Sequence, residues 1–114
     1  MADEPVFINI EEGVARVMNN AALYYTLLAK FRTSASLDDL TGFLHAGDYE
    51  KAQTSAHTIK GVAANLSLIE FFRQILELEV HIKARTVNSE QIETVKHTFD
   101  ETIKEIDKVI AQNA

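Results

Sequence analysis

Asp48-Tyr49-Glu50-Lys51-Ala52-Gln53-Thr54-Ser55-Ala56-His57-Thr58-Ile59-Lys60-Gly61-Val62-Ala63-Ala64-Asn65-Leu66 is the stretch from which the fold is read. Its residues Tyr49, Ala52, Ala56, Ile59, Ala63 and Leu66 are spaced 3, 4, 3, 4 and 3 apart. That is the period of a helix with one buried face. Asp48 supplies a side-chain acceptor at the expected N-cap. Gly47 just before it is a natural terminator for a preceding helix.

The same period continues on both sides. Upstream, Asn9 and Glu12 have capping-box spacing for a helix from about Asn9 to Met18. A second helix beginning near Asn20 carries Leu23, Tyr24, Leu27, Leu28 and Phe31 on one stripe. A third, starting at Ser36, groups Leu37, Leu40, Phe43 and Leu44 and stops at Gly47. Downstream, the pattern shifts near Ser67. A helix from about Leu68 to Arg85 then sets Leu68, Phe72, Ile75 and Ile82 on one face. After the connection Thr86-Val87-Asn88-Ser89, the last helix runs from Glu90 to about Gln112, with Ile92, Val95, Phe99, Ile103, Ile106 and Ile110 inward. No segment has the two-residue period of a strand. Short connections between long helices favour antiparallel neighbours. The expectation is an all-α fold: an antiparallel four-helix bundle with one or two short additional helices at the N-terminal end.

Composition agrees. The 114 residues suit one domain, residues 1–114, and the 46% hydrophobic and 25% charged content is ordinary for a globular chain. The absence of cysteine excludes disulfides, thiolate metal sites and cysteine nucleophiles. A net charge of −6 lacks the basic footprint of a nucleic-acid binder. No run approaches the roughly 20 apolar residues of a membrane span. Met1-Ala2-Asp3-Glu4-Pro5 does not resemble a signal peptide, so a cytoplasmic location is expected.

The chemistry concentrates on Ala56-His57-Thr58-Ile59-Lys60-Gly61. At about 100° per residue, His57 falls roughly 130° from the centre of the buried stripe and Gly61 nearly opposite that centre. His57 is therefore expected to face solvent, with Gln53 and Ala64 on its flank. A mid-helix glycine costs about 1 kcal/mol relative to alanine. On an exposed face nothing inside the protein needs it, but it clears space for an approaching molecule. Lys60, three residues along, lies within side-chain reach of His57. It could neutralise an anion on the imidazole, and it disfavours imidazolium, keeping a ring nitrogen nucleophilic. Nucleophile, cation and clearance together suit a phosphoryl acceptor, because phosphoryl transfer rests mainly on positioning and charge stabilisation.

The chain resembles the histidine-containing phosphotransfer (HPt) domains of multistep two-component phosphorelays. Their signature looks like Ala-His-x-Leu-Lys-Gly followed by small residues; here it reads Ala56-His57-Thr58-Ile59-Lys60-Gly61-Val62-Ala63-Ala64. Leu78-Glu79 is similar to the family's Leu-Glu pair, Gly47-Asp48 to its Gly-Asp, and Leu23-Tyr24-x-x-Leu27-Leu28-x-x-Phe31 to its second helix. The resemblance implies that His57 carries the phosphoryl group, that Lys60 balances the phosphate, and that Gly61 makes room for a partner. That partner would be the receiver domain of a response regulator or of a hybrid sensor histidine kinase. Gln53 and Ala64 are expected to join the contact. No tightly bound cofactor is implied, since Mg²⁺ belongs to the receiver. The chain would be a carrier and not an autonomous kinase, and no Gly-rich phosphate loop exists here. Ser67 stands where the family often has glycine, and is expected to cap the helix from Leu68.

Other groups are plainer. His45, His81 and His97 fall on polar flanks. Glu77/His81 and Glu93/His97 have i,i+4 spacing but point away from the core, so no metal site is expected. Glu79 falls on the inward stripe, where a carboxylate needs a partner or an escape to water; its head is expected to reach solvent or a helix end. Tyr24, Tyr25, Phe71 and Phe72 read as core and its margin. The alternative function is a non-catalytic helical protein-interaction module.

Overall fold

The computed structural model describes residues 7–34 and 37–113. Among these residues are six α-helices: α1 (Ile10–Arg16), α2 (Ala21–Ser34), α3 (Asp38–His45), α4 (Tyr49–Asn65), α5 (Ile69–Ala84) and α6 (Ser89–Gln112). No strand occurs among the described residues. The start expected at Ser36 lies outside them.

Side-chain caps account for most of the helix starts. Asn9 Oδ1 accepts from the Glu12 N–H at 3.1 Å, Asn20 Oδ1 from Leu23 at 3.0 Å, and Asp48 Oδ1 from Lys51 at 3.2 Å. Asn88 and Gln91 close a reciprocal capping box at the head of α6. Gly47, at φ +75°, ends the α3 segment in the left-handed conformation that glycine takes without steric cost.

The expected capping box at Asn9 is only half formed. The Glu12 carboxylate turns to accept a 2.7 Å hydrogen bond from the Ser67 hydroxyl. Ser67 therefore does not cap α5, whose N-cap is Leu68 with no side-chain hydrogen bond. Ser67 instead sits at φ +54° in the turn between α4 and α5. That backbone is the physical reason a glycine would suit the position. Main-chain bonds from Asn9 N–H to Ser67 O and from Ile69 N–H to Phe7 O, each 3.0 Å, stitch the N-terminal segment to the same turn. Tyr24 adds a buried hydroxyl bond to Leu66 O at 2.7 Å.

Packing passes from α3 to α4, α4 to α5, α5 to α6, and α6 to α2, with α1 resting on α2. Phe31, Phe71 and Phe99 bring α2, α5 and α6 together, with ring centroids 5.4–6.1 Å apart. Arg32 of α2 also donates to Asp107 of α6 at 3.1 Å. Alanines 52, 56 and 63 make the buried face of α4, which lets its neighbours approach closely.

The buried seams differ in detail from the hydropathy stripes. In α2, Tyr24, Leu28 and Phe31 are buried while Leu23 is exposed. In α5 it is Phe71, not Phe72, that joins Ile75, Leu78 and Ile82 in the core. In α6, Thr98, Thr102 and Val109 are buried, and Phe99, Ile103 and Ile110 are only half-buried. Thr102 tolerates this because its hydroxyl donates to Thr98 O at 2.7 Å, leaving no unmet polar atom.

A groove of about 910 Å³ lies beside α4, among α2, α3 and α6. Leu27, Phe31, Phe43, Ile59, Val62 and Phe99 give it an apolar lining.

Candidate functional site

The site begins with the register of α4. Burying Ala52, Ala56 and Ala63 turns residue 57 outward. The His57 side chain is 73% exposed. Lys60 lies on the flank nearer α5, and its side chain is only 21% exposed. Gly61 is exposed, and a Cβ built on it would meet no atom within 4 Å. Gln53 and Ala64, one turn before and two turns after His57, are half-buried.

The fourth member comes from α5. Glu79 is on the inward stripe, but its carboxylate does not escape to water. Its side chain is 6% exposed, and Oε1 accepts a 2.6 Å hydrogen bond from Lys60 Nζ. Oε2 lies 3.6 Å from His57 Nδ1. That distance is beyond a hydrogen bond but within reach of direct charge attraction. Burial alone would push the Glu79 carboxyl up. The hydrogen bond and charge of Lys60, with the charges of Lys83 and His57, outweigh burial and hold it below the usual carboxylate range.

Lys60 thus has a partner that its sequence position did not name: one of its three N–H donors is given to Glu79. The expectation that Glu79 would reach solvent is overturned, because an inward carboxylate met an inward-leaning lysine from the facing helix. The clue was present: both residues lie on flanks that α4 and α5 turn toward each other. Lys83 carried a signal as well, since it is four residues beyond Glu79 on one face of α5.

The groove sits on the other flank of α4, where Thr54, Thr58 and Val62 line it. Neither Gln53 nor Ala64 contributes to its lining. The remaining histidines are apart from the site. His45 and His97 are exposed, and His81 Nδ1 is 2.8 Å from the Thr86 hydroxyl. Among the described residues no group of three His, Asp or Glu side chains could hold a metal ion. None of their helices is long and apolar enough to cross a membrane.

Comparisons with protein-family models, curated proteins and solved structures found no match.

Chemically, the cluster joins an exposed imidazole, a carboxylate aimed at its Nδ1 side and a cation fixing that carboxylate. A bare helix surface adjoins it at Gly61. A carboxylate beside Nδ1 favours the tautomer that carries the proton there, which leaves the Nε2 lone pair free.

Proposed function

We propose that this protein is a histidine phosphotransfer carrier, resembling HPt domains, that accepts a phosphoryl group on His57 from a receiver-domain aspartate and passes it to another receiver. The observation that carries the reading is the exposure of His57 on an unbroken helix beside Glu79 and Lys60. In the first step the His57 Nε2 lone pair attacks phosphorus and forms a P–N bond. The acyl P–O bond breaks, and the receiver's aspartate leaves as a carboxylate. The Nδ1 proton stays on the ring, where Glu79 stabilises the positive charge that develops. The second step is the reverse reaction on another receiver.

On this reading α2, α4, α5 and α6 form an antiparallel four-helix bundle that holds the histidine helix rigid, with α1 and α3 as additions. The carrier works in the cytoplasm, holds no cofactor tightly, and takes its Mg²⁺ from the receiver. Gly61 leaves room for the receiver loop that bears the aspartate, and Gln53 and Ala64 lie at the margin of that contact. The test is incubation with phosphorylated receivers of the source organism. The expected product is a phosphorylated chain whose label is lost in acid and kept in base. Failure to take label from any of them would contradict the proposal.

The groove beside α4 favours a second reading, a helical interaction module without chemistry. A groove of this size, with an apolar floor and Lys30, Asp39, Glu50 and Lys51 also lining it, suits an amphipathic partner helix. Under that reading Val62→Asp abolishes partner binding while His57→Gln changes nothing. Under the carrier reading His57→Gln abolishes labelling.

A further inference from the structure

The outer face of α5 carries a second row of apolar side chains. Ile69, Leu76 and Val80 are exposed, Phe72 is half-buried, and the exposed Lys83 ends the row. Their spacing is 3, 4, 4 and 3, which holds them on one side of the helix. At about 100° per residue, the row is centred roughly 60° beyond Glu79, away from the core. It therefore lies on the flank of α4 opposite the groove. The spacing reads the same in both directions about Leu76. A surface that meets its own copy across a two-fold axis needs that property, because residue i must face j while j faces i. With two α5 helices antiparallel and the axis at Leu76, Leu76 meets Leu76 of the second copy, Val80 meets Phe72, and the stem of Lys83 covers Ile69. The charges on the neighbouring flank agree with this register. Arg73 and Glu77 are both exposed and lie 3.8 Å apart within one chain. In the pairing, Arg73 falls two residues, about 3 Å along the axis, from Glu77 of the second copy, and the reverse holds by symmetry. The two Lys83 ammonium groups stand at opposite ends.

We infer that this face is the contact of a homodimer, two copies packed antiparallel through α5 about a two-fold axis at Leu76. The partner is a second copy and not another protein, because only a symmetric partner uses both the reversal of the row and the reciprocal Arg73–Glu77 pairs. One helix face is a small interface, so the dimer is weak, populated at roughly millimolar concentration and dissociated at low micromolar. The contact leaves the groove on the opposite flank of α4 open. The inference does not depend on whether His57 carries phosphate.

Sedimentation velocity from about 10 µM to about 1 mM tests it. The natural chain shifts from monomer to dimer over that range. Leu76→Asp removes the leucine from both copies and sets two carboxylates at the axis, so self-association weakens by roughly 30-fold or more. Leu23→Asp, at an equally exposed leucine on α2, leaves it unchanged. Circular dichroism of both variants stays that of the natural chain. The register is read by oxidation, since the chain has no cysteine of its own. Leu76→Cys cross-links into a covalent dimer roughly tenfold or more faster than Leu23→Cys. Val80→Cys alone does not, because its two copies stand about 12 Å apart along the axis, beyond the roughly 7 Å reach of a disulfide. A natural chain still monomeric at about 1 mM would overturn the inference. So would a dimer that Leu76→Asp leaves intact, or one in which Val80→Cys cross-links as fast as Leu76→Cys.

Discussion

Lys60 Nζ donates to Glu79 Oε1 at 2.6 Å, across the interface between α4 and α5. The pair is a structural bond as much as a feature of the site. Removing either partner strands a charge that is largely out of water.

Lys60→Ala is therefore expected to lower stability by about 1–3 kcal/mol, less than a fully buried pair because the ammonium still touches solvent. Lys60→Met combined with Glu79→Met should cost less than the sum of the single changes. Urea denaturation of the four proteins measures the coupling; strict additivity would mean the pair contributes nothing. Any transfer assay of Lys60→Ala must be read against its fraction folded.

The pH dependence follows from the same bond. The folded-state pKa of Glu79 lies below the ordinary value of 4.5, so its stabilisation is fully present above pH 4.5. It is lost as pH falls from there through the folded value. Glu79→Gln should flatten that part of the stability profile. Glu70 is lowered too, by its hydrogen bond to Arg73, so some acid dependence persists in the variant.

At the other end of the range stands Tyr24. Burial raises its hydroxyl from 10.0 to about 12, with smaller contributions from Tyr25 and Glu12. Its stabilisation is complete below pH 10 and is lost as pH rises toward 12. Tyr24→Phe should remove this alkaline loss and cost about 1 kcal/mol at neutral pH for the lost bond to Leu66 O. Thermal melts from pH 7 to 11 would show it. Gly13→Ala reaches the same ring from α1: its Cβ would overlap the Tyr24 ring, so α1 must shift, and proteolysis near Asn9 should accelerate.

Gly61 separates stability from function. Because a Cβ there meets nothing, Gly61→Ala should stabilise the chain by about 0.5–1 kcal/mol. Gly42→Ala, at a position just as open, should do the same. Only the Gly61 series should affect a receiver. Gly61→Glu should block docking with the fold unchanged, read by titration with a receiver and by circular dichroism.

Much of this was legible in the sequence, for reasons that are local. Asn9, Asp48 and Gly47 act within one turn of themselves, so their cap and terminator roles could be read directly. The exposure of His57 follows from its phase relative to Ala56 and Ile59. What was hidden depends on two helices at once. The Lys60–Glu79 bond links residues 19 apart and requires the α4–α5 register. Hydropathy places Phe99 and Ile103 inward, yet they are half-buried while Thr98 and Thr102 are buried; the Thr102 hydroxyl is bonded back to its own helix and so loses its polar character. Ser67 pointed to a cap and instead reached back across the chain to Glu12.

The most direct measurement is phosphoryl transfer from a phosphorylated receiver to the natural chain and to His57→Gln, with the label located by peptide mapping. Under the carrier reading, label is expected on the peptide bearing residue 57 of the natural chain and none on the variant. Undiminished labelling of His57→Gln would contradict it.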